Sequence, residues 1–178
     1  METTYKHVAN ASLVNDQHLL LRRIRQWTVL FVVFLILSGL TAFPVQTELN
    51  FLIGFADLFP DTMRSWLISV TGAVNNVAGD YPFLFYGYDW LAYSHIVIAL
   101  FFYGVYKNPV QNAWVIRVGM IACLGVFILA MVCGPIRGIP FFWTIIDFSF
   151  GAFGLIPLVR MLQLTKQFET IQKLNTGL

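Results

Sequence analysis

Two ionisable side chains, His95 and Asp147, fall well inside apolar stretches of the sequence, and Arg137 lies in a short Gly/Pro-bounded segment ahead of the second stretch. Ionisable groups are costly in hydrocarbon and persist there for a structural or functional reason. An imidazole and a carboxylate together can pass a proton, and a guanidinium beside them would hold an anionic or polar headgroup. His95 comes six residues after Asp89, and Asp147 seven after Pro140. With Asp89 and Pro140 as helix ends, a rise of about 1.5 Å per residue puts the two side chains about 9 and about 10.5 Å deep, at essentially one level. His95 shares a helix face with Ala92 and Ala99, and Asp147 with Gly151 and Gly154. Small residues let helices approach closely in membranes, so both groups are expected to face neighbouring helices.

The candidate ligand-binding set is therefore His95, Arg137 and Asp147, with Asp89, Tyr93 and Trp143 around them. His95 and Asp147 are the candidate acid and base if the site is catalytic. In the plainer reading Asp147 accepts hydrogen bonds from Arg137 or His95 and only fastens helices together. No metal or cofactor is expected. Bis-histidine haem needs a second histidine at a compatible depth, and His7 and His18 lie about a bilayer thickness from His95. Met120 and Met131 are formally possible partners for His95, but methionines on apolar helices are usually gap-fillers. Ser94 adjoins His95 in sequence, yet successive helical residues point about 100° apart, so this is no nucleophile–base pair. Cys123 and Cys133 are ten residues apart on one expected helix. That is about 15 Å along its axis, too far for a disulfide within the helix. No CxxC or Cys/His cluster is present.

The elements that must position these residues are membrane spans. Of 178 residues, 58% are hydrophobic and 11% charged, against about 45–50% and about 25% in soluble domains. Mean hydropathy is +0.71, and the apolar residues fall in runs of membrane-spanning length. The net charge of +2 is small and its basic residues are scattered, so nucleic acid is not an expected partner.

The pattern predicts an all-α integral membrane protein, a four-helix bundle with spans at about 27–45, 88–106, 113–133 and 141–162. Residues 1–26 form a cytoplasmic N-terminal segment whose Ser12 to Gln26 stretch reads as a basic interfacial helix. Leu40-Thr41-Ala42 is a weak signal-peptide cleavage pattern, but the first apolar run is expected to be an anchor. Between the first two spans, residues 46–87 are an outer loop. Within it Met63, Trp66, Leu67, Val70 and Val74 repeat at helical spacing after Pro60 and Asp61, predicting an amphipathic helix from Asp61 to Asn76 on the membrane surface. Lys107-Asn108-Pro109 makes a tight turn, Gly134 to Pro140 a rigid connection, and 164–178 a cytoplasmic tail. Tyr81, Phe83, Phe85, Tyr86, Tyr88 and Trp90 read as an aromatic belt at the bilayer boundary.

With both termini in the cytoplasm, nine basic residues fall inside and two, Arg64 and Arg137, outside. This is the bias of a multi-pass protein of a membrane such as the bacterial inner membrane. Trp27 and Trp114 then fall at inner boundaries, and Trp90 and Trp143 near outer ones. Three functions fit this frame. The first is an accessory subunit of a larger membrane complex, or a protein binding a lipid-like or quinone-like molecule beside the His/Asp/Arg cluster. A membrane enzyme using His95 and Asp147 comes second, and a transporter or proton path third, since no inverted repeat or polar ladder crosses the bilayer.

The charge bias yields a labelling experiment. In a background without Cys123 and Cys133, a cysteine at Asn75 should react with an impermeant thiol reagent applied from outside, and one at Asn108 should not. The reverse pattern would overturn the orientation.

Overall fold

A computed structural model describes residues 2–176, with side chains from 14 to 175. Lys6, His7 and the first residues of the expected interfacial helix, Ser12 and Leu13, lie outside the described side chains. The described chain is helical, without strands. Its helices are α1 (Glu2–Ala42), α2 (Val45–Ile53), α3 (Asp61–Asp80), α4 (Phe85–Lys107), α5 (Ala113–Ile136) and α6 (Phe141–Thr176). Stretches of α1, α5 and α6 are long and apolar enough to cross a membrane: Val14–Ala42, Ala113–Ile136 and Phe141–Asn175. This is compatible with a multi-pass membrane protein. Apolar side chains on these helices, such as Ile121, Ile128 and Phe153, are exposed, as a lipid-facing surface requires.

No break separates the basic segment from the apolar run that follows. The 41 residues of α1 contain no proline and one glycine, Gly39, so nothing in the backbone interrupts the helix before Pro44. Its length, about 61 Å, is about twice the hydrocarbon thickness, so α1 is longer than one span requires. Helix α6 likewise runs unbroken from its apolar half into the Lys166–Thr176 tail.

The chain divides into two compact units, one of residues 1–33 with 100–178 and one of residues 34–99. In the first unit the core comprises Ile24, Thr28 and Phe31 of α1, Phe102 and Val105 of α4, Ile116 of α5, and Leu158 and Met161 of α6. The Phe31 and Phe102 rings meet at 4.7 Å between centroids, tilted by 55°. The Thr28 hydroxyl donates to the Ile24 carbonyl at 2.8 Å and lies 3.2 Å from the Met161 sulfur. Helix α6 packs antiparallel on α5 through a glycine stripe. A methyl group built on Gly151 would lie 2.8 Å from the Cys123 carbonyl oxygen, and one on Gly154 the same distance from the Cys123 sulfur. Such approaches let the helices associate by close van der Waals packing, without a hydrophobic driving force.

The second unit holds a helical hairpin. Helix α2 was not expected from the sequence, although Val45, Leu49 and Leu52 at helical spacing after Pro44 are a signal for it. Helix α3 starts at Asp61 after Pro60, where the Arg64 amide donates to the Pro60 carbonyl at 2.9 Å. Much of the apolar stripe of α3 faces α2. Leu67 joins Leu49 and Ala56 in a small core, with Val70 and Val74 against it. Asn75 fastens the pair. It accepts from Gln46 at 3.0 Å and from Asn50 at 3.3 Å, and donates to Asn50 at 2.9 Å. Since a cysteine at Asn75 would break this clamp, its exposed neighbour Asn76 serves the labelling test without that cost.

The glycine stripe gives a direct stability test. Gly151→Val should lower stability in detergent by about 1–3 kcal/mol through overpacking against the α5 backbone. Gly125→Val, where nothing lies within 4 Å of an added methyl group, should change it little. Equal effects at both positions in thermal unfolding would dismiss the α5–α6 register.

Candidate functional site

The position of Arg137 follows from how α5 ends. Rather than stopping at Cys133, α5 continues through Pro135 to Ile136 and closes on a glycine cap. Gly138 adopts φ of +67°, a left-handed conformation that L side chains rarely take. Around it the Ile139 amide donates to the Gly134 carbonyl at 2.9 Å, and the Gly138 amide to Pro135 at 3.2 Å. This is the paired bonding of a Schellman cap. Arg137 is the residue just before that glycine. Its own amide bonds to the Cys133 and Gly134 carbonyls, at 3.0 and 3.2 Å, and its side chain is exposed.

The α5–α6 register then separates Arg137 from Asp147. Gly134 lies against Thr144, Cys123 against Gly151, and Phe127 stacks on Phe148 at 5.2 Å. Positions facing one another across the pair therefore have residue numbers that sum to about 274–278. Asp147 falls opposite residues 127–131, which are Phe127, Ile128, Leu129, Ala130 and Met131, while Arg137 falls near the start of α6. No ion pair joins Arg137 to Asp147, and Asp147 has no hydrogen bond to another described side chain of its unit. Asp147 is half-buried on the stripe that carries Gly151 and Gly154, as the small-residue pattern implies, but the stripe it faces offers no N–H or O–H side-chain donor. Trp143, one turn earlier, is half-buried and meets Phe142 edge-on at 6.5 Å.

His95 belongs to the second unit. Its Nδ1 lies 2.9 Å from the Leu91 carbonyl of its own helix, a bond in which Nδ1 is the donor. The alanine face expected beside it is packed, with Ala92 fully buried and Ala99 4% exposed. The packing partner is α1 at Gly39, where an added methyl group would lie 2.7 Å from the Ala92 carbonyl and 3.1 Å from the His95 Cβ. Tyr93 is exposed and edge-on to Trp90 at 6.2 Å, and Asp89 is half-buried in the first turns of α4. Among the described residues no three His, Cys, Asp or Glu side chains gather closely enough to hold a metal ion.

Sequence reasoning did not single out Arg25. Its Nε donates to the Tyr106 carbonyl at 3.3 Å, and its guanidinium carbon lies 5.1 Å from the Tyr106 ring centroid. The available signal was the basic run interrupted by Ile24, whose burial turns α1 so that Arg25 reaches α4. No protein-family model matches the chain, and no curated protein or solved structure is measurably similar to it.

The separation of Arg137 from Asp147 can be measured. A double-mutant cycle of Arg137→Gln and Asp147→Asn, followed by thermal unfolding in detergent, should show coupling within about 0.5 kcal/mol of zero. Asp147→Leu should raise stability, on the order of 1 kcal/mol, by removing a costly polar group. Strong coupling, or a loss of stability in Asp147→Leu, would mean that the carboxylate has a fastening role.

Proposed function

We propose that this chain is a four-span membrane protein with both termini in the cytoplasm, of the bacterial inner-membrane type, that acts as a binding or accessory subunit and uses Asp147 to receive a donor from outside the chain. Helix α4 is the fourth span. Its 23 residues extend about 34 Å, enough for a bilayer. Its first half is more polar than the other spans because it carries Asp89, Ser94, His95 and three tyrosines. The orientation is supported by the nine-to-two division of basic residues.

The observation that carries the functional reading is the half-buried Asp147 with no partner in its unit. An acidic group on an apolar helix needs a donor, and α5 supplies none at that level. A lipid-like or quinone-like molecule with a hydroxyl or ammonium head would satisfy the carboxylate while its apolar part lay along α5 and α6. A donor on a helix of a larger complex would do the same. Trp143, one turn away, offers an apolar and hydrogen-bonding wall on the same stretch of α6, and Arg137 an exposed cation for an acidic part of the ligand.

The test is to purify the full chain in mild detergent and compare what Asp147 and Asp147→Leu retain by native mass spectrometry and lipid extraction. The unaltered chain should hold an amphiphile or a protein partner that Asp147→Leu loses at least tenfold. Identical retention by both would end this reading.

A further inference from the structure

At the other end of the first unit, His18, Arg22, Arg25, Val29, Val33 and Tyr106 are among the residues that line an open groove of about 860 Å3. Apart from Tyr106 these residues come from one face of α1, and they change character along it. The first turns carry His18, Arg22 and Arg25, and the following turns carry Val29, Leu30 and Val33, all three exposed. The change falls at Gln26 and Trp27, where a helix passes from the polar boundary of a bilayer into hydrocarbon.

Arg25 is held in place rather than free. Its bond to the Tyr106 carbonyl uses Nε, and the ring of Tyr106 supports its plane. A guanidinium has five N–H donors, so four remain on the two terminal nitrogens. Among the described residues these make no hydrogen bond or ion pair, and neither does Arg22. Two terminal nitrogens in a fixed plane are the geometry that takes a phosphate in a bidentate way. No acidic side chain lines this groove. A second groove of about 540 Å3, between α1 and α6, is lined by both Asp16 and Arg23 and so lacks such a charge preference.

We infer that the α1–Tyr106 groove is a binding site for one anionic phospholipid, whose phosphate sits on Arg25 and Arg22 and whose acyl chain lies along Val29, Leu30 and Val33. Charge complementarity selects the headgroup, and the apolar turns that follow it select a lipid over a soluble phosphate. Asp147 plays no part in this site, so it stands or falls independently of the proposed function.

The experiment is native mass spectrometry of the full chain, titrated with phosphatidylglycerol, with phosphatidylcholine and with glycerol phosphate. One phosphatidylglycerol should bind in preference to phosphatidylcholine, and glycerol phosphate should not compete. A basic residue near a membrane surface contributes about fivefold to binding of an anionic lipid. Arg22→Gln and Arg25→Gln should therefore each reduce the preference by about fivefold, and the double variant should abolish it. Arg160→Gln, an exposed arginine outside the groove, should leave it unchanged. Val33→Asn, which keeps both arginines, should weaken phosphatidylglycerol binding. Equal binding of the two lipids, competition by glycerol phosphate, or an effect of Arg160→Gln as large as that of Arg25→Gln would overturn the proposal. So would loss of a bound protein chain, rather than of lipid, from the arginine variants.

Discussion

The approach of α6 to the α5 backbone at Gly151 sets the register on which the rest of the first unit depends. Where a side chain has no room, two helices can settle closer, and in lipid that closeness is the source of association because water does not drive it. With Gly151 against Cys123 and Gly134 beside Thr144, the pairing of every intermediate level is fixed. Asp147 then faces a stretch of α5 whose side chains offer no N–H or O–H donor. The same contact that joins the helices thus leaves the carboxylate without a partner among the described side chains of its unit.

The end of α5 works in the same direction. A helix stopping at Cys133 would leave Gly134 to Pro140 as a loop able to descend toward α6, and would bring Arg137 near Asp147. Instead the Gly138 cap satisfies carbonyls at the end of α5, which stays helical to Ile136. Pro135 does not prevent this, because a proline near a helix end costs one amide and its neighbours satisfy the carbonyls that remain. Capping a helix in this way exposes Arg137 and keeps it apart from Asp147.

Much of the helical architecture was legible in the sequence, because long apolar runs and their basic flanks are strong signals. The glycines near Asp147 and the alanines near His95 correctly indicated which faces pack. Helix α2 was missed because nine residues holding Glu48, Asn50 and Gln46 read as loop when weighed by polarity. Those same polar residues serve the hairpin, since Gln46 and Asn50 bond to Asn75. The meeting of Arg137 with Asp147 was expected from depth and from the glycines and prolines of the connecting segment. Neither depth nor composition shows that a glycine cap will extend α5 by three residues, because that depends on backbone bonds closing around one left-handed residue.

Arg25 and Asp147 show two different ways in which a membrane protein holds a charge. Arg25 has a long side chain, whose stem can cover apolar surface while the charged head reaches a polar partner. A backbone carbonyl and an aromatic ring hold it there through Nε and the guanidinium plane. Asp147, in the second turn of α6, has a short side chain with little reach along the helix. Its charge has to be met where it stands. The first arrangement meets its charge within the unit, whereas the second leaves a carboxylate with no described partner there. Replacing each residue by an apolar one therefore has opposite consequences for the free chain: at Arg25 packing against Tyr106 is lost, and at Asp147 an unmet polar group is removed.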